Sequence, residues 1–327
     1  MALNLLFCLI GFMMLYYGAE WLVTGSSSLA RRLGVTPMVI GLTVVAFGTS
    51  APEFVVSLIF SIKDKSMIAV GNVVGSNICN IALVLGLAAL FQPITSHRSV
   101  IKRNIPIMLG ISLYLLLLSL DSRLGRLEGA TLFGGIIVYT FFNYYVAMKQ
   151  VKQRSDEISV TFETGVEEIE YVTSRQKQIV LIVVGMAGVV VGAQIVVGSA
   201  VKIMQILGVD EKFIGLTIIA FGTSLPELAT SVIAALRKEM DISIGNLVGS
   251  NVFNILSVLG AASLVRPIPI PGGFIKSGLV IDYMVMMLTS FLPWLMMRKT
   301  ATVTRKDGLL LLFCYVGYLV YLILKAS

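Results

Sequence analysis

Two stretches of the chain, 174 residues apart, are nearly the same. GLTVVAFGTSAPE at 41–53 and GLTIIAFGTSLPE at 215–227 agree at ten of thirteen positions. The same offset carries GNVVGSNICN (71–80) onto GNLVGSNVFN (245–254), with seven of ten identical, and Gly34-Val35 onto Gly208-Val209. The chain is a duplicated unit. Each copy ends an apolar run with a helix breaker and a carboxylate, Pro52 with Glu53 and Pro226 with Glu227.

The medium around these runs is lipid. Of 327 residues, 57% are hydrophobic and 13% charged, against about 25% charged in soluble domains. Mean hydropathy is +0.91. A membrane-crossing helix needs about 20 apolar residues, and ten runs are candidates, the fourth of them short: 3–24, 36–60, 67–91, 105–120, 129–148, 178–200, 212–236, 243–264, 279–297 and 308–324. The first lacks a basic flank and a small-residue cleavage site, so it reads as a retained helix. The expected fold is an all-α integral membrane protein of ten transmembrane helices. Residues 1–148 form one five-helix repeat, 149–177 a linker, and 178–327 the second repeat. Five is odd, so the second copy should sit upside down relative to the first. Inverted repeats with broken helices at a midplane site are a transporter architecture.

Orientation follows the distribution of Lys and Arg. With both termini outside, inner loops hold sixteen of the 25 basic residues. A cell (inner) membrane, extracytoplasmic termini and a cytoplasmic linker are therefore expected. The net charge of +7 is spread over short loops, which argues against nucleic-acid binding. Cys8, Cys79 and Cys314 have no metal spacing, and His97 is the sole histidine, in a basic loop. Ser50 stands near Glu53, but no intramembrane base accompanies it, so an intramembrane hydrolase is disfavoured. An enzyme is not expected.

Pro52 and Pro226 lack an N–H and crowd the carbonyls of Gly48 and Gly222. Freed carbonyls at membrane depth must face protein, water or an ion. They lie beside Thr49, Ser50 and Glu53 in one copy and Thr223, Ser224 and Glu227 in the other. Ser76 and Asn80 share a helix face, as do Ser250 and Asn254. Cys79 points another way along its helix. Close packing of small residues accounts for Gly71, Gly75, Gly245 and Gly249, but not for two mid-membrane carboxylates, each costing at least about 2.5–3.5 kcal/mol. All the site donors are hard oxygens, which suits Ca²⁺ or Na⁺ and disfavours zinc or copper. The carboxylates could themselves carry protons, so H⁺ exchange for Ca²⁺ is the alternative to Na⁺ exchange. The inverted broken helices argue against a passive channel.

These doubled motifs, GTSAPE with GNVVGSNICN and GTSLPE with GNLVGSNVFN, resemble the α-repeats of the cation/Ca²⁺ exchanger superfamily, and most closely its short prokaryotic Na⁺/Ca²⁺ exchangers. The resemblance covers essentially the whole chain. It implies an antiporter working by alternating access, in which the first and sixth helices move against a core of the second, third, seventh and eighth. By motif position it implies Thr49, Ser50, Glu53, Ser76, Asn80, Thr223, Ser224, Glu227, Ser250 and Asn254 as ion ligands, with the carbonyls of Ala46 and Ala220. Ca²⁺ and Na⁺ are then substrates and no cofactor is needed; function as a monomer in the lipid is expected. Some members, including the K⁺-dependent branch, carry Asp where Asn254 stands, which leans against K⁺ dependence. Outside the motifs, Glu20 reads either as a gating group or as a snorkelling one, Asp282 as interfacial. The linker acids Glu163, Glu167, Glu168 and Glu170 lack Ca²⁺-loop spacing and read as a solvated face.

Overall fold

The computed structural model describes residues 1–158, 172–209 and 220–326. The linker acids lie outside these residues, as does the first part of the second breaker motif, 215–219. The described chain is helical: α1 (Ala2–Arg32), α2 (Pro37–Thr49), α3 (Ala51–Ile62), α4 (Met67–Phe91), α5 (Val100–Leu118), α6 (Arg126–Ile158), α7 (Arg175–Ile206), α8 (Leu225–Leu236), α9 (Met240–Val265), α10 (Leu279–Thr300) and α11 (Arg305–Ala326). Among the described residues, eight helices are long and apolar enough to cross a membrane. They become nine if α2 and α3, bent by 45° at their junction, form one broken span. The apolar helix α8 has 12 residues.

Several apolar runs end elsewhere than expected. The fifth run, expected to stop at 148, continues as helix to Ile158. Its extension, KQVKQRSDEI, is polar but rich in straight-chain helix formers, so the helix outlasts its apolar part. The first run likewise continues to Arg32. It stops where Gly34 adopts φ +70°, and α7 stops in the same way at Gly208, φ +76°. In both, the residue after the glycine closes the helix end: Val35 N–H donates to the Ala30 carbonyl and Val209 N–H to that of Met204, each at 3.0 Å. This is a left-handed glycine cap, built twice.

The repeat is also visible in how the halves meet. Strand β1 (Ile94–Thr95) pairs antiparallel with β4 (Thr302–Val303), and β2 (Arg123–Leu124) with β3 (Ile268–Pro269). Each pair joins one half to the other. The central helices are α4 and α9, whose most apolar stretches are 78% and 83% buried, against 17% for α11. A two-sided burial explains why these two helices are apolar or small all round, without an outward polar face.

Helices α1 and α7 lie side by side along glycine faces. A Cβ added at Gly185 would stand 2.5 Å from the Leu22 nitrogen and 2.7 Å from the Gly18 carbonyl oxygen. Backbone cannot yield as a side chain does, so Gly185→Ala should push the helices apart. The expected cost is about 1–3 kcal/mol, read as a lower melting temperature of the detergent-solubilised protein. An unchanged melting temperature would show that the pair is not tightly docked.

Candidate cation site

The breaks fall where the prolines put them. Ser50 sits between α2 and α3 at φ −85°, ψ 6°, and Ser224 precedes α8 at φ −88°, ψ 5°. Pro52 and Pro226 then occupy the first turn of the following half-helix, where a missing N–H costs nothing. Glu53 and Glu227 lie in the same first turns, at helix ends whose free N–H groups favour negative charge. Asn80 and Asn254 lie in wide π turns, Cys79–Leu85 within α4 and Asn254–Leu259 within α9.

The structure brings several of these groups together across the halves. Glu53, Glu227, Thr49, Ser50, Ser224, Ser250, Asn80 and Asn254 are fully buried, and Ser76 nearly so. Ser50 Oγ donates to Glu227 Oε1 at 3.0 Å. Thr49 Oγ1 donates to Asn246 Oδ1 at 3.0 Å and lies 3.4 Å from Ser250 Oγ. The Thr49 and Ser250 hydroxyls border the same Glu227 carboxylate, and the two glutamates interact electrostatically. Among the described residues no Lys or Arg forms an ion pair with either glutamate.

The Ala46 carbonyl accepts the Ser50 N–H at 3.0 Å, with the Thr49 hydroxyl at 3.4 Å. Ala220 opens the short turn Ala220–Gly222, and Thr223 is half-buried. Cys79, expected to point another way along the helix from Ser76 and Asn80, is buried within α4.

Buried polar atoms normally find hydrogen-bond partners. Among the described residues thirteen buried side-chain atoms have none, and seven belong to the candidate ligands: both oxygens of Glu53, Ser76 Oγ, Asn80 Oδ1, Ser224 Oγ, Glu227 Oε2 and Asn254 Oδ1. Every one of the seven is an oxygen. Two uncompensated carboxylates in a buried site are strongly unfavourable, and a cation coordinated by such oxygens would offset that cost. Among the described residues there is no group of three or more His, Cys, Asp or Glu side chains arranged to hold a metal ion. The cluster's donors are two carboxylates supplemented by hydroxyls and amides.

Other polar residues support these. Asn72 donates to Ser57 Oγ and Asn246 to Ser231 Oγ, each at 3.0 Å. These are repeat-related pairs. The side-chain amides of Asn77 and Asn251 each donate a hydrogen bond to the other's backbone carbonyl, joining the halves. Asn77 and Asn251 lie off the faces shared by Ser76 and Asn80 and by Ser250 and Asn254, and the sequence signal for them is their identity in both copies of the motif, inside an otherwise apolar helix. Glu20 forms an ion pair with Arg237, while Ser27 Oγ donates to Glu239 and Arg31 lies 3.6 Å from it. Asp282 accepts from the Tyr318 hydroxyl at 3.1 Å. His97, which is exposed, faces Asp241 at 3.4 Å.

Helices of membrane length around a buried oxygen cluster define an integral membrane protein with a polar interior, built from two like halves. The chain belongs to the sodium/calcium exchanger protein family, whose model matches residues 3–145 and 177–324. It is 38% identical over 316 residues to the "Putative antiporter CaxA" of Alkalimonas amylolytica, covering 96% of each chain. It is 31% identical over 347 residues to the "Sodium/calcium exchanger MaX1" of Methanosarcina acetivorans, covering 98% of each. Among solved structures it superposes on the sodium-calcium exchanger NCX_Mj soaked with Na⁺ and Ca²⁺, with a TM-score of 0.81 and 32% identity over 97% of this chain and 98% of that one. The protein is a membrane transporter of the cation/Ca²⁺ exchange type.

Proposed function

We propose that the chain is a secondary antiporter exchanging Na⁺ for Ca²⁺ by alternating access. The observation that carries this is the set of seven unpartnered oxygens, two carboxylates among them, gathered from both halves in the protein interior. Two glutamates balance one Ca²⁺; Na⁺ ions competing for the same oxygens would neutralise them in its place, and competition for shared ligands couples the two fluxes. The ligands are Thr49, Ser50, Glu53, Ser76, Asn80, Thr223, Ser224, Glu227, Ser250 and Asn254, with the Ala46 and Ala220 carbonyls. Asn254 keeps an amide oxygen where a third carboxylate would stand, which favours independence from K⁺.

In this reading residues 1–148 and 178–327 are two inverted five-helix repeats related by a pseudo-two-fold in the membrane plane, joined by a cytoplasmic linker at 149–177. Both termini are extracytoplasmic, and one chain suffices for function. Reciprocal bonds between repeat-related residues support the pseudo-two-fold. Helices α1 and α7 move together as the sliding pair. The Glu20–Arg237 ion pair ties α1 to the end of α8. The repeat-related positions, Gln194 and Lys63, cannot form such a pair by residue type, while Asp64 beside Lys63 pairs with Arg266 at 2.6 Å.

Exchange of H⁺ for Ca²⁺ is the second reading, favoured by the same pair of buried glutamates without a cationic partner, since such groups can take up protons. Uptake of ⁴⁵Ca into proteoliposomes loaded with Na⁺, with K⁺ and pH varied separately, distinguishes them. Uptake should require the outward Na⁺ gradient and ignore K⁺. A Ca²⁺ flux indifferent to Na⁺ but driven by a pH gradient would replace the first reading with the second.

A further inference from the structure

An amide ligand has a hidden degree of freedom. Its oxygen and its NH₂ have nearly the same shape, and only hydrogen bonding decides which one faces a cation. Asn80 and Asn254 are fully buried, so nothing from solvent makes that choice for them.

Asn77 and Asn251, each 1% exposed, stand next to Ser76 and Ser250 in the two GSN triplets. Asn77 Nδ2 donates to the backbone carbonyl of Asn251 at 3.2 Å, and Asn251 Nδ2 donates to that of Asn77 at 3.3 Å. A carbonyl can only accept, so the amide atom facing it must be the nitrogen. The orientation of both amides follows. Each Oδ1 then accepts from the other half: Asn254 Nδ2 donates to Asn77 Oδ1, and Asn80 Nδ2 donates to Asn251 Oδ1, both at 3.1 Å. With their nitrogens held there, Asn80 and Asn254 present Oδ1 on the opposite side. Those two oxygens are buried and have no hydrogen-bond partner.

We propose that Asn77 and Asn251 are positioning residues that set the amides of Asn80 and Asn254 so that oxygen, and not NH₂, faces the cation. The proposal rests on the cation site described above. Each backbone carbonyl fixes one amide, and that amide fixes a ligand from the opposite half. Without the relay, Asn80 or Asn254 could rotate at no steric cost and turn N–H dipoles toward a positive ion. The arrangement is reciprocal, so each half of the chain orients the other half's ligand.

Asn77→Leu tests this, since leucine is of similar volume and keeps water out of the vacated space. Ca²⁺ binding is read by calorimetry on the detergent-solubilised full chain. The half-saturating Ca²⁺ concentration should rise about tenfold or more, equal to roughly 1.4 kcal/mol. Adding Asn254→Asp should restore binding to within about threefold of Asn254→Asp alone, because a carboxylate offers oxygen whichever way it turns. Adding Asn80→Asp should not, since Asn80 is held by Asn251. In the mirror experiment, Asn251→Leu should be rescued by Asn80→Asp and not by Asn254→Asp. A merely structural asparagine would show no such crossed pattern. Asn77→Leu binding within twofold of wild type, or equal effects of the two rescues, overturns the proposal. Should Asn77→Leu fail to fold, Asn77→Ala is read in the same way. Wild-type Ca²⁺ binding with a Na⁺-indifferent flux would sink the Na⁺-coupling reading alone; absence of Ca²⁺ binding to the wild type would overturn both.

Discussion

Glu53→Gln and Glu227→Gln should each abolish Ca²⁺ transport, with Ca²⁺ binding weakened about a hundredfold or more. The two carboxylates are the only full negative charges among the cluster's proposed ligands. Replacing one leaves a divalent ion short of a unit charge inside the membrane, a deficit of about 2.5–3.5 kcal/mol on insertion scales, which is roughly two decades in affinity. Stability without Ca²⁺ should behave differently. Neither glutamate has a cationic partner among the described residues, so a neutral amide relieves the cost of a buried charge. The melting temperature of each variant in Ca²⁺-free buffer should equal or exceed that of the wild type. Added Ca²⁺ should raise the wild-type melting temperature and leave the variants unmoved, because a ligand stabilises only the state that binds it. Normal ⁴⁵Ca uptake by both variants would remove the site.

Gly249→Val should cost nearly all transport by a different route. A Cβ at Gly249 would stand 2.7 Å from the Leu42 carbonyl oxygen and 2.8 Å from Ala46 Cβ. The neighbouring Gly245 is packed likewise, 3.0 Å from the Met38 carbonyl oxygen. Helix α2 therefore seats on α9 through glycine, and this contact sets the distance between Thr49 on one and Ser250 on the other. Valine would wedge the two helices apart just where their hydroxyls meet. A loss of about 1–3 kcal/mol in stability is expected for overpacking, with uptake reduced at least tenfold in vesicles carrying equal amounts of folded protein. Wild-type uptake at a normal melting temperature would mean that α2 can shift without disturbing the site.

The membrane class and the duplication were legible because lipid imposes long apolar runs and because the 174-residue offset preserves whole motifs. The breaks were legible for an equally local reason: proline cannot donate, so Pro52 and Pro226 end a helix whatever surrounds them. Helix lengths were less so. Residues 149–158 are polar, yet they continue α6, because helix propensity does not end where the membrane does.

The list of oxygen donors in the two motifs thus comes from the sequence by itself, through the chemistry of each residue and its distance from a helix breaker. Which donors are already engaged was decided by the tertiary structure alone. Ser50 reaches Glu227 while Ser224 Oγ and both Glu53 oxygens stay unpartnered, although the two half-motifs are nearly identical in sequence. The direction in which the Asn80 and Asn254 amides point is likewise tied to asparagines of the opposite half, Asn251 for Asn80 and Asn77 for Asn254. Hydrogen bonds between the halves depend on where the second copy comes to rest against the first, and no local pattern encodes that.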